Sequence, residues 1–193
     1  GVGCLHLADF DRVDLSNLQR QIVHDVDSLG QLKVPSAARR LRQINPRLEL
    51  HLHETALDAD SLGATVAAVD LVLDCSDNFG TREAINAACV AAVKPLVSGA
   101  AIRLEGQLSV FDPRRADSPC YHCLYGHGSE AQLTCSEAGV VGPLVGLVGG
   151  RGVADDVGAV RVESDRLVEA AGRNVLERRG LRPPPGARED VAL

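Results

Sequence analysis

Aromatic residues are nearly missing from this chain: three Phe, two Tyr and no Trp among 193 residues. That scarcity argues against base-stacking platforms, which lay successive nucleobases on aromatic faces, and against carbohydrate-like recognition surfaces. Positive charge is short as well. Twenty Lys and Arg stand against 26 Asp and Glu, for a formal net charge of −6, and Lys33 and Lys94 are the only lysines. Binding to nucleic acid needs a basic face, so nucleic acid is excluded as the main partner. A single nucleotide in a locally positive pocket is not. No apolar run reaches transmembrane length, and no basic-then-apolar signal pattern opens the chain. The expectation is a cytoplasmic protein without a membrane partner. No internal repeat is present.

What is present fits one domain. The length suffices to bury a core, and the 45% apolar content is that of a soluble globule. Six cysteines at positions 4, 75, 89, 120, 123 and 135 are irregularly spaced, which favours reduced thiols over a disulfide framework. Cys4, Cys75 and Cys89 sit in apolar stretches and are expected to be small buried hydrophobes. Cys120 and Cys123 form a Cys-x-x-Cys pair, half of the four-ligand set that a structural zinc requires. His122 and His127 lie close by, but at no spacing that completes the set. Cys135 reads equally as a nucleophile or an inert thiol.

Apolar runs alternate with segments of helical period. Residues 4–9 read as a strand ending at Asp9, 29–43 as a helix stopping at Ile-Asn-Pro, and 48–54 as a half-buried strand. Asp and Ser cap candidates open a helix over 58–69. A continuous apolar run over 70–78 ends in acids, a helix follows over 81–92, and 95–102 and 105–113 read as two further strands. Strands separated by helices imply right-handed crossovers and a mostly parallel sheet, so the fold class is α/β. Ligands of such sheets bind beyond the carboxyl ends of the strands. Two acids, Asp9 and Asp77, are expected there.

The connection after Asp9, Leu-Ser-Asn-Leu-Gln-Arg-Gln, suits a nucleoside triphosphate. Asp9 can accept from ribose hydroxyls or can cap a turn. Arg20 offers a rigid fork of donors that matches phosphate, and Asn17 and Gln19 offer amides. Lys33 reads alone as a solvated helix residue, and together with Arg20 as a second phosphate contact. Asp77 could hold a hard cation such as Mg²⁺ or cap the next helix, a role Asn78 could fill equally well.

Taken in order, ADFDRVDLSNLQRQ, GQLKV, INP, DLVLDCSDN, PLVSGAAIRLEGQLSVF, PCYHCL and TCSEAGVVGPLVG resemble the ThiF/MoeB family, relatives of the ubiquitin-activating enzymes, over residues 1–149. Within it the resemblance is nearest to the molybdopterin-synthase branch. It implies a Rossmann-like domain that uses ATP to adenylate the C-terminal glycine of a ubiquitin-like sulfur carrier (MoaD or ThiS type), releasing pyrophosphate, and that works as a homodimer. It assigns Asp9 to the ribose, and Ser16, Asn17 and Arg20 to the phosphate side, with Arg20 on the triphosphate. Lys33 falls at the α-phosphate, Asp77 with Asn78 at Mg²⁺ and nucleotide, and Cys120 and Cys123 at the first zinc pair. Cys135 matches a cysteine that some members link covalently to the carrier.

The chain also departs from that pattern. It opens directly on a strand, without the arginine-bearing helix and glycine-rich loop of the family, which implies N-terminal truncation. Residues 151–193 hold eight arginines and no lysine, and RPPPGARED reads as coil. The expectation is a partial adenylation domain over 1–150 and an atypical, poorly ordered tail over 151–193, read as out-of-frame translation. Activity of the chain as written is expected to be impaired and its zinc site incomplete. A non-catalytic module that binds the carrier or a partner is the first alternative. An NAD-dependent oxidoreductase is the second.

Overall fold

The computed structural model describes residues 2–126 and 139–156. In chain order the elements are β1 (Cys4–Ala8), α1 (Lys33–Ile44), β2 (Glu49–His53), α2 (Ala59–Ala67) and β3 (Val72–Asp74). These are followed by α3 (Phe79–Ala92), β4 (Leu96–Ile102), β5 (Glu105–Phe111), α4 (Tyr121–Tyr125) and α5 (Gly142–Asp156). Two short 3-10 turns, Leu15–Asn17 and Val26–Ser28, lie in the connection between β1 and α1.

Local chemistry accounts for the element ends. Asp58 caps α2 by accepting from the Ser61 N–H at 2.9 Å, and Asn78 caps α3 by accepting from Thr81 N–H at 2.8 Å. Helix α1 starts at Lys33 rather than at residue 29, because Gly30 adopts φ 76° and the chain turns there. It stops before Asn45-Pro46, where the proline ring disfavours helical backbone for the preceding residue. The expected strand over 70–78 is only Val72–Asp74 long, so the acid that ends it is Asp74 and not Asp77.

β1 and β2 pair in parallel, as do β3 and β4, and β5 folds back antiparallel on β4. The mixed α/β class with flanking helices is as expected. One core holds the second ladder: Val66, Cys89, Leu96, Phe111 and Tyr121 are buried together. Four of the five aromatic residues gather there. Tyr121 packs edge-on to Phe111 at 5.9 Å and lies 4.7 Å from Tyr125 and 6.2 Å from Phe79. Helix α5 lies against the β4–β5 hairpin, close enough that a methyl group at Gly106 would meet Leu144 at 2.9 Å. It continues through Gly150 to Asp156, across the change in composition.

Of the cysteines expected inside, Cys89 is buried, its thiol pushed up to about 11 by burial and by Asp74. Cys4 and Cys75 are exposed instead. Short strands leave one face of β1 open, and Cys75 follows β3 rather than lying in it. Cys135, His127 and the tail from residue 157 onward lie outside the described residues. Among the described residues, no helix is long and apolar enough to cross a membrane.

Candidate functional site

Asp9 leaves the end of β1 and turns the chain by accepting the Asp11 N–H at 2.8 Å. Lys33, the first residue of α1, is brought back to it. Its own N–H donates to the Asp11 carbonyl at 2.9 Å, and flanking bonds from Val13 N–H to Gln31 and from Gly30 N–H to Val13 close the connection into a clasp. The Lys33 ammonium then sits 2.8 Å from an Asp11 carboxylate oxygen and 3.5 Å from one of Asp9. Its side chain is only 12% exposed while the two carboxylates remain largely in water. Lys33 is therefore a mostly covered cation at a strand end, with acids that a stronger anion could displace.

The polar segment after it is wound tightly. Asp14 accepts from both the backbone and the hydroxyl of Ser16, and these bonds hold its carboxyl below the usual range. Asn17 donates to the Ser16 hydroxyl at 3.3 Å, and the Arg20 guanidinium donates to the Ser16 carbonyl at 3.0 Å. Ser16, Asn17 and Arg20 thus form one cluster, separate from the ion pairs of Lys33. The first glycine of α5 backs onto this turn: a Cβ on Gly142 would lie 2.6 Å from the Gln19 carbonyl oxygen.

His24 lies in the same connection. Its Nδ1 lies 2.9 Å from the Ser36 hydroxyl on α1. Burial, and after it the positive charge of Lys33, holds the imidazole below its ordinary value, against the opposing pull of Asp9. No sequence motif marked it, since the contact spans a turn and a helix.

Asp77 and Asn78 occupy the turn beyond β3. Asn78 is used as the α3 cap, and Asp77 is exposed. Beneath them lies a network that sequence patterning missed. The buried Asp74 carboxylate accepts from the Ser76 N–H at 3.0 Å, the Ser76 hydroxyl at 2.7 Å and the Ser98 hydroxyl at 3.1 Å. Arg82, 9% exposed, approaches Asp74 at 4.0 Å and donates to Ser98, to the Gly99 carbonyl and to the Ser76 carbonyl. With three hydrogen bonds and the Arg82 guanidinium beside it, Asp74 is committed to structure. The network fixes the backbone that carries Asp77.

Cys120 and Cys123 sit at the start of α4 with their sulfurs 3.4 Å apart. Burial opposes ionisation of Cys120, but hydrogen bonds from Cys123 and Asn86 outweigh it and hold the thiol below its ordinary value. His122 turns away to Glu83, 3.0 Å from its carboxylate. A 260 Å³ pocket runs beside this pair, lined in part by Asn86, Lys94, Phe111 and Arg115. None of Asp9, Arg20, Lys33 or Asp77 lines it, so the nucleotide-side residues form an open strand-end surface and not this cavity.

The family model described as "ThiF family" matches residues 1–160. The molybdopterin-synthase adenylyltransferase of Escherichia coli K12 is 52% identical over 149 residues, 77% of this chain and 59% of that enzyme. The sulfur carrier protein ThiS adenylyltransferase of the same organism is 45% identical over 149 residues, with the same shares covered. The chain therefore spans rather more than half the length of these relatives. Among solved structures, E. coli MccB with ATP superposes with a TM-score of 0.63 at 18% identity, covering 88% of this chain and 49% of that one. The likeness to MccB bears on the fold alone. The two relatives named are adenylyltransferases, which favours that reading over the oxidoreductase one. By the extent of the family match and the order of its motifs, this chain belongs to the ThiF family.

Proposed function

We propose that the protein carrying this segment uses ATP to adenylate the C-terminal glycine of a ubiquitin-like sulfur carrier of the molybdopterin (MoaD) or thiamine (ThiS) type. The observation that carries the reading is the clasp at the end of β1, where a mostly covered Lys33 faces Asp9 and Asp11. The names of the relatives support it, since both are adenylyltransferases and one acts on a sulfur carrier.

In this reaction a carboxylate oxygen of the carrier bonds to the α-phosphorus of ATP while the bond to pyrophosphate breaks. Two anions meet, so repulsion and positioning dominate the barrier. Asp9 accepts from the ribose. Lys33 exchanges Asp11 for an α-phosphate oxygen, and Arg20, positioned by Ser16 and Asn17, neutralises charge on the departing phosphates. A carboxylate is already ionised at neutral pH, so no base is needed to activate it.

Asp77 offers a free carboxylate on a rigid turn, which fits the one or two protein ligands that Mg²⁺ takes beside phosphate oxygens and water. Bound there, the ion would add charge stabilisation at the phosphates. Cys120 and Cys123 fit one edge of a tetrahedral zinc, whose role would be to hold the chain near α4. Cys135 is the proposed position for a covalent link to the carrier.

Carrier-dependent ATP–pyrophosphate exchange tests the reading, run with one MoaD-type and one ThiS-type carrier. Exchange with either is expected, and Lys33→Ala should lower it by about 100-fold or more, as for loss of one charge-stabilising donor. Unchanged exchange in that variant would overturn the role of Lys33. Carrier binding with no exchange would favour the non-catalytic binding module.

A further inference from the structure

We propose that Cys4, His6 and His51 form a transition-metal site of the zinc class on the open face of the β1–β2 ladder. The parallel register sets Cys4 opposite Glu49, His6 opposite His51, and Ala8 opposite His53. Side chains alternate along each strand, so Cys4 and His6 share a face of β1, and Glu49, His51 and His53 share the matching face of β2. Five residues with metal-ligating or metal-supporting chemistry therefore converge on one small patch.

The side chains lie close enough together to share one ion. One ligand atom each from Cys4, His6 and His51 lies within 4.8 Å of the others. The His6 and His51 rings stack at 4.4 Å with 14° between their planes. His6 Nδ1 lies 3.2 Å from His53 Nε2, and Glu49 Oε1 lies 2.9 Å from His51 Nε2. A carboxylate on the second nitrogen of an imidazole is the usual way a protein fixes a ligating histidine. Glu49 occupies that position toward His51.

Ligand chemistry selects the ion. A thiolate with two imidazoles favours zinc and its first-row neighbours and gives little to Mg²⁺ or Ca²⁺. Bonds of 2.0–2.3 Å place tetrahedral ligands roughly 3.3–3.8 Å apart, so closing the set draws the ligand atoms in by about 1 Å. It also turns the His6 and His51 rings out of their near-parallel stack until both lone pairs meet one ion. Cys4 is exposed and His51 partly so, which leaves that rotation free and gives an ion access from solvent. The fourth position falls to water or to His53. This site is separate from Cys120–Cys123, which belong to α4 on the other ladder. A bound ion would staple β1 to β2, where no side chain is fully buried.

Titration with Co²⁺, followed by Zn²⁺ competition, tests the proposal on the chain carrying C120S, C123S and C135S. One equivalent of Co²⁺ is expected to bind with tetrahedral visible bands and a thiolate-to-cobalt charge-transfer band. Cys4→Ser should remove the charge-transfer band, and His51→Ala should weaken binding by about 100-fold or more, beyond the effect of losing an outer-shell partner. Thermal melts without metal check that each variant folds. If His51→Ala does not fold, the charge-transfer band of the Cys4→Ser variant decides, because Cys4 is a surface residue. Absence of that band in the triple-serine chain, or identical titrations with and without Cys4, would overturn the proposal.

Discussion

The two ladders of this molecule are held by different physics. In β1 and β2 no residue is fully buried, and the connection that follows is closed by turns and by ion pairs whose carboxylates are open to water. In the second ladder the first four residues of β4 are buried, and a satisfied Asp74–Arg82–Ser98 network crosses from β3 to α3 to β4. Exposed pairs contribute little and exchange partners readily, whereas breaking a buried pair leaves a stranded charge. The comparison suggests a division of labour. One ladder is the scaffold, and the other presents replaceable contacts to ligands.

The largest expected effect comes from attacking the scaffold. Asp74→Ala should cost about 3–5 kcal/mol, because it leaves Arg82 buried without its carboxylate, and urea unfolding reads the loss. A cost near 1 kcal/mol would mean that the network is solvated and that the contrast between the ladders is false. Next is the seam between them. Gly142→Ala drives a methyl group against the Gln19 carbonyl and should cost about 1–3 kcal/mol, with a larger loss of exchange activity than the fold alone explains.

Lys33→Ala stands opposite Asp74→Ala. Stability should change by less than about 1 kcal/mol while exchange falls steeply, a split that places Lys33 among the replaceable contacts. Smaller still is a gain. Val93 ends α3 at φ 54°, a left-handed backbone that a β-branched residue resists, so Val93→Gly should raise stability by about 1 kcal/mol. Finally, His24 has a folded pKa below the ordinary 6.5. The unfolded chain then binds more protons below that pH, so stability is full above about pH 6.5 and falls as pH drops through the lowered value. His24→Gln should flatten that slope in melts run from pH 7 downward.

Much of this was legible locally. The order of strands and helices from β1 to β5 followed from periodicity and the α2 cap at Asp58 from residue type, whereas residue type left the α3 cap open between Asp77 and Asn78. The polar run from Ser16 to Arg20 marked itself by composition, and it forms one cluster. Asp77 lies beyond the strand end expected for it, because an apolar run does not say where its ladder bonds stop. Cys4 and Cys75 were placed inside because apolar neighbours in sequence need not be neighbours in space. His6, His51 and His53 passed unremarked, since the signal that joins them is a strand register and not a spacing.

The amino-acid sequence by itself determined the α/β class, the element order as far as β5, the α2 cap and the family. Each depends on interactions within a few residues or on patterns that survive in the linear order. Only the tertiary structure decided which acid at β3 is buried, which carboxylates hold Lys33, and which histidines meet across β1 and β2. Those are pairings between residues far apart in the chain, set by register and by competition for burial, and no local preference encodes them.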